Sequence, residues 1–139
     1  MEVKEISRML SRSKKGFKVI GHNTDAEKAI DEIISFMPDF VITDMYMRKM
    51  SGIALMQWIK EAGIECKFII YSDRNSIESD ANWHEKMRDF FHGGGFDYWR
   101  KPLNESMIEE ISDRTGYDSY IEYLRAQRRA SQGMEADED

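Results

Sequence analysis

Apolar positions along this chain alternate between two patterns, stripes at helical spacing and short continuous runs. Val3, Ile6, Met9 and Leu10 fall three and four residues apart, which predicts an amphipathic helix over residues 2–12, closed by Lys14, Lys15 and Gly16. Phe17 to Gly21 (FKVIG) reads as a short strand. Thr24 and Glu27 have capping-box spacing and open a second helix with a stripe of Ala26, Ala29, Ile30, Ile33, Ile34 and Met37, stopped by Pro38. Phe40 to Thr43 (FVIT) and Lys67 to Ser72 (KFIIYS) are nearly unbroken apolar runs, as strands covered on both faces require. Between them Ser51 and Gly52 start a helix carrying Ile53, Leu55, Met56 and Ile59. Trp83, Met87, Phe90 and Phe91 mark a helix over residues 77–91, broken by Gly93, Gly94 and Gly95. Phe96 to Arg100 (FDYWR) is a further strand running into Lys101-Pro102, and Asn104 caps a helix with Met107, Ile108 and Ile111 inward.

Strands that alternate with helices of this length imply parallel crossovers, hence an open α/β sheet with helices on both faces. Chemistry in such sheets gathers at the carboxyl ends of the strands. Those ends hold Asp44, Ser72 and Lys101.

Composition narrows the function classes. With 41% hydrophobic and 33% charged residues the chain is ordinary for a globular domain, and 139 residues suffice for one core. A net charge of −6 argues against a nucleic-acid surface. No apolar run approaches the ~20 residues of a membrane span, and the amino end lacks a secretory signal's apolar stretch. The single cysteine, Cys66, excludes an internal disulfide framework and suits a reducing, cytoplasmic setting, where it reads as a small buried hydrophobe. His22, His84 and His92 have no metal-ligand spacing.

Asp44-Met45-Tyr46-Met47 followed by Met50-Ser51-Gly52 resembles the acceptor segment of bacterial response-regulator receiver domains, D-x-x-M-P-x-M-[DS]-G. Ser72 matches that family's switch hydroxyl, Tyr98 its aromatic switch, and Lys101-Pro102 its Lys-Pro pair, so the resemblance runs from residue 2 to about 112. It implies a flavodoxin-like receiver fold, here with four recognisable strands where the family has five. It also implies that Asp44 accepts a phosphoryl group from a histidine kinase or phosphotransfer protein, with Lys101 pairing with Asp44 or the phosphate. Ser72 is then expected to bond a phosphoryl oxygen, and Tyr98 to change rotamer and alter the face of the fourth helix, last strand and last helix. Magnesium is the expected cofactor, held by Asp44 and the backbone carbonyl of Tyr46 with an acidic pair that ends the family's first strand.

Four departures bear on activity. The chain begins inside the helix that follows the family's first strand, so that strand and its acidic pair have no counterpart among residues 1–139. Either Met1 is an internal methionine of a longer product, the preferred explanation, or the domain is degenerate and closes its sheet differently. Asp73 stands where the family usually has a small residue, adding like charge beside Asp44 or serving as a substitute ligand. Arg48 replaces the motif's proline, and Asn75, Ser76, Ser79 and Asp80 suggest an extended loop before the fourth helix.

Residues 1–112 thus form the receiver-like unit. Tyr117, Tyr120, Ile121 and Leu124 make an apolar stripe on an additional helix over 113–130, and residues 131–139 (SQGMEADED) read as an acidic disordered tail. That helix either packs on the domain or forms a dimer or partner surface. Two functions follow. One is a phosphorylatable stand-alone receiver, not an enzyme beyond its own phosphorylation, signalling to a downstream protein or through self-dimerisation. The other is a pseudo-receiver that works as an interaction module without phosphate. An unrelated flavodoxin-like enzyme is disfavoured, because no phosphate-cradling glycine turn follows a first strand.

Overall fold

A computed structural model describes residues 2–47, 49–73, 79–111 and 115–131. Its sheet has three parallel strands, β1 (Phe40–Thr43), β2 (Lys67–Ser72) and β3 (Asp97–Arg100), in the order β1-β2-β3. The register pairs Phe40 with Lys67 and Thr43 with Ile70 on one side of β2, and Ile69 with Asp97 and Ser72 with Arg100 on the other. All three carboxyl ends therefore open on one edge.

Because side chains alternate across a strand, β2 feeds two cores. Phe68 and Ile70 point to one face, where they meet α2 (Ala26–Phe36), α3 (Gly52–Glu61), α4 (Trp83–His92) and the last helix, α6 (Gly116–Ser131). Ile69 and Tyr71 point to the other, against α1 (Glu2–Arg12) and the short α5 (Glu105–Glu109). Phe68, Phe90, Leu55, Met56, Ile59 and Met87 are fully buried in the first core, each worth roughly 1.5–3 kcal/mol relative to exposure.

Local chemistry sets the helix ends. Ser51 caps α3 by accepting from the Ala54 N–H at 3.1 Å, and Asn104 caps α5 by accepting from the Met107 N–H at 3.0 Å. The expected pairing of Thr24 with Glu27 does not form. Asp25 is the cap of α2, its carboxylate accepting from the Glu27 N–H at 2.8 Å, because an acceptor two residues from that donor reaches it directly. This hydrogen bond holds the Asp25 carboxyl below the usual range, with Lys49 adding to the effect. The helix expected over 77–91 is described from Trp83 onward, and residues 74–78 lie outside the described residues, as do Arg48 and the tail from residue 132.

The fourth strand expected at 17–21 is absent, so the described sheet has three strands rather than four. FKVIG has the composition of a strand but no ladder to join. A groove of about 690 Å³ lies between it and β1, touching Val19 and Ile20 on one bank and Phe40 to Thr43 on the other. Phe17 reaches across the gap at one end, its ring 5.8 Å from that of Phe40.

The additional helix packs on the domain. Tyr123 of α6 is buried against Phe91 and Tyr98, its hydroxyl 2.7 Å from His84 Nδ1, and Tyr120 stacks on Phe91 at 5.2 Å. Gly116 lets the helix start close in, since a Cβ there would stand 2.7 Å from the Gly95 carbonyl oxygen. Tyr117 and Leu124 remain exposed.

Candidate functional site

Asp44 is the first residue after β1, where the strand hands over to the loop before α3. The loop is held at both ends. The Thr43 hydroxyl donates to the Asp44 carbonyl at 3.0 Å, and the Gly52 N–H donates to the Met45 carbonyl at 2.8 Å. Gly52 has to be glycine, because a Cβ would stand 2.4 Å from the Asp44 carbonyl oxygen. Met45 is buried and anchors the loop from below, so the half-exposed Asp44 carboxylate faces out of the carboxyl edge of the sheet.

Lys101 reaches that carboxylate from β3. Its Nζ is 3.6 Å from Asp44 Oδ2, and its stem is largely buried, with side-chain exposures of 19% for Lys101 and 41% for Asp44. Two contacts aim it: its backbone N–H donates to the Ser72 carbonyl at 2.8 Å, and its ammonium lies 5.2 Å from the centre of the Tyr71 ring. Tyr71 is fixed in turn by the Leu103 N–H, which donates to its hydroxyl at 3.0 Å.

Ser72 ends β2 between these two strands. It is completely buried, and its hydroxyl has no hydrogen-bond partner among the described residues. Tyr98 lies on the neighbouring strand, paired in register with Ile70, on the same face as Ser72. Its ring packs edge-on against Trp83 at 5.7 Å and Tyr123 at 6.1 Å. Its hydroxyl is likewise buried with no hydrogen-bond partner among the described residues. Burial pushes the Tyr98 phenol up, and nearby Arg100 partly opposes this.

The fold therefore brings Asp44, Ser72 and Lys101 together on one edge and sets Tyr98 one strand away. It also adds a cluster that the sequence reading missed. The Tyr46 hydroxyl donates to the Asp80 carboxylate, Lys86 of α4 pairs with the same carboxylate at 2.7 Å, and the Lys86 ammonium lies 5.0 Å from the Tyr46 ring. Hydrogen bonds from Lys86, Tyr46 and the Asn82 N–H hold the Asp80 carboxyl down to about 2, and burial together with Asp80 pushes the Tyr46 phenol up. Tyr46 entered the sequence reading only through its backbone carbonyl. Nothing in a local pattern links it to a residue 34 positions away.

Magnesium asks for near-octahedral oxygen coordination. Among the described residues no three His, Cys, Asp or Glu side chains are grouped to hold a metal ion. Asp73, half-buried next to Ser72, completes no such group. Asp44 and the Tyr46 carbonyl do not make a magnesium site by themselves. No described helix is long and apolar enough to cross a membrane.

Similarity to known proteins agrees with this arrangement. A response regulatory protein of Staphylococcus epidermidis is 30% identical over 97 residues, covering 70% of this chain and 35% of that protein. A probable C4-dicarboxylate response regulator of Halalkalibacterium halodurans is 22% identical over 130 residues, which are 94% of this chain. The chain spans 53% of that relative's length. Among solved structures, the receiver domain of AraT, a response regulator from Geobacillus stearothermophilus, superposes with a TM-score of 0.66 at 17% identity. The match covers 88% of this chain and 89% of that one, and it shows the shared fold. Residues 2–113 match the response regulator receiver domain as a family, and the chain belongs to it.

Proposed function

We propose that this receiver domain accepts a phosphoryl group on Asp44 from a histidine kinase or phosphotransfer protein, and signals through protein contacts. The observation that carries the reading is the convergence, on one strand edge, of a half-exposed carboxylate, a buried-stem lysine 3.6 Å from it and a fully buried hydroxyl with no partner among the described residues. A carboxylate oxygen of Asp44 attacks phosphorus, the P–N bond to the donor imidazole breaks, and the imidazole leaves carrying its electron pair. The Lys101 ammonium offsets charge on the transferring oxygens. The Ser72 hydroxyl then donates to a phosphoryl oxygen, and Tyr98 moves with it. That movement reaches α6, whose Tyr123 lies directly against the Tyr98 ring. Output passes to a downstream protein or a second copy through α4, β3 and α6.

The second reading, a phosphate-independent interaction module, draws on the incomplete metal-ligand set among the described residues. Incubation with a small-molecule phosphodonor and magnesium separates the two. Intact mass spectrometry is expected to show the gain of one phosphoryl group, lost in Asp44→Asn and reduced at least tenfold in Lys101→Met. A chain that stays unmodified while both variants remain folded supports the interaction module instead.

A further inference from the structure

Tyr46 is held at three points, and one of them is the acceptor itself. Its backbone N–H donates to Asp44 Oδ1 at 3.4 Å, closing the turn that an aspartate makes with the residue two positions on. Lys101 approaches the other carboxylate oxygen, Oδ2, at 3.6 Å. The plane of the acceptor carboxylate is therefore set from two sides, by Lys101 and by the Tyr46 amide. The amide bond is long, so its hold on Oδ1 depends on how firmly Tyr46 is placed.

That placement comes from α4. The Tyr46 hydroxyl donates to the Asp80 carboxylate, and the Lys86 ammonium donates to Asp80 Oδ2 at 2.7 Å while lying 5.0 Å from the Tyr46 ring centre. Each of the three side chains thus touches the other two. Asp80 is fixed in turn to the first turn of α4. Its Oδ1 accepts from the Asn82 N–H at 2.8 Å, and its carbonyl accepts from the Trp83 N–H at 3.1 Å. Trp83 is buried in the core, so the clamp ends on a rigid element.

Stability alone gives little reason for such a clamp. Tyr46 is 42% exposed, and water would serve its hydroxyl nearly as well as Asp80 does. What the clamp limits is the freedom of the acceptor loop. At the far end of that loop Lys49 stands 3.6 Å from both Asp25 and Glu27, but its side chain is 56% exposed and such pairs hold weakly. The Asp80 side chain is only 14% exposed. Apart from the buried Met45, the acceptor end of the loop is fixed from the α4 side.

We propose that Asp80 and Lys86 are positioning residues for Asp44: by clamping the Tyr46 side chain they hold its amide on Oδ1 and orient the carboxylate for attack. The part played in attack rests on the phosphoryl-acceptor reading of Asp44. The bond formed is from an Asp44 oxygen to phosphorus and the bond broken is the donor's P–N bond; Asp80 and Lys86 exchange no proton with either. Misplacing a reacting atom by about 1 Å costs on the order of a hundredfold in rate. Loosening one of two holds, with Lys101 intact, is expected to cost about five- to tenfold.

The test measures phosphoryl uptake from phosphoramidate and magnesium by intact mass, and the Asp44 rotamer by the three-bond couplings of its β protons. Tyr46→Phe, which keeps the ring, Asp80→Asn and Lys86→Met should each slow uptake about five- to tenfold. Lys86→Arg keeps both the ion pair and the cation over the ring, and should restore uptake to within about twofold of the parent. The double variant Tyr46→Phe/Asp80→Asn should be no slower than either single one, because both break the same link. The couplings should report one staggered Asp44 rotamer in the parent and an average over several in the slowed variants. Unchanged uptake in the three variants overturns the proposal. Slower uptake with an unaltered Asp44 rotamer, or without restoration by Lys86→Arg, overturns it as well. If the parent takes up no phosphoryl group, the acceptor reading fails and the couplings alone decide the clamp. Averaging in the variants then upholds it, and a single rotamer throughout overturns it.

Discussion

Ser72→Ala should make the resting protein more stable and the phosphorylated form shorter-lived. The hydroxyl of Ser72 is fully buried, and no donor or acceptor among the described residues reaches it. A buried hydroxyl left unsatisfied costs ~1–3 kcal/mol relative to one in water. Removing it leaves a void on the order of 10 Å³, which at ~24 cal/mol per Å³ returns only ~0.2 kcal/mol of that gain. The net expectation is a stabilisation of about 1 kcal/mol. Urea unfolding with an m-value of ~2 kcal/mol/M would report this as a midpoint raised by about 0.5 M at unchanged slope. The same substitution removes the hydroxyl available to a phosphoryl oxygen, so aspartyl phosphate should decay faster than in the unaltered chain. Stability and activity moving in opposite directions is the signature of a polar group kept for function. A midpoint lowered by about 0.25 M or more would refute the reasoning, because it would mean the hydroxyl is bonded in the resting protein.

Two further outcomes follow from the same loops. Gly52→Ala pushes a methyl group to within 2.4 Å of the Asp44 carbonyl oxygen, so the acceptor loop must shift. Phosphoryl incorporation is expected to fall at least tenfold while circular dichroism stays that of the parent, and unchanged incorporation would show that the loop yields freely. The Asp80 carboxyl sits at about 2 in the folded protein, below its ordinary value near 3.8, so the stability it contributes is complete above about pH 4 and lost as pH falls towards 2. The melting-temperature difference between the protein and Asp80→Asn should be constant near neutrality and shrink as pH falls from about 4 through 2; a difference that stays unchanged over that range would count against the Tyr46–Asp80–Lys86 tether.

Much of this protein was legible in the sequence because its determinants are local. The unbroken apolar runs at 40–43 and 67–72 specify strands covered on both faces, and β2 is buried at every position after Lys67. Ser51 and Asn104 bond the amides their cap positions predict, since a cap is a contact between near neighbours. The order of acceptor, hydroxyl and lysine along the chain also identified the family, because parallel crossovers deliver every strand's carboxyl end to the same edge.

Other features depended on what stands next to a segment. FKVIG at 17–21 carries strand composition, yet a strand exists only as part of a ladder, and the groove beside β1 leaves it none among the described residues. Thr24 and Asp25 are both acceptable caps by composition, and the geometry at Glu27 chose Asp25. Tyr46, Asp80 and Lys86 meet only because the loops after β1 and β2 emerge side by side. The amphipathic stripe of α6 said that something must cover it. Packing covers only part of that stripe, Tyr120 stacking on Phe91 while Tyr117 and Leu124 stay exposed, and it adds Tyr123, which meets Phe91, Tyr98 and His84 and ties the last helix to the strand where Tyr98 sits. Sequence fixes what a segment can pair with through its own pattern; which neighbour it meets is a long-range outcome, set by how the whole chain closes its core.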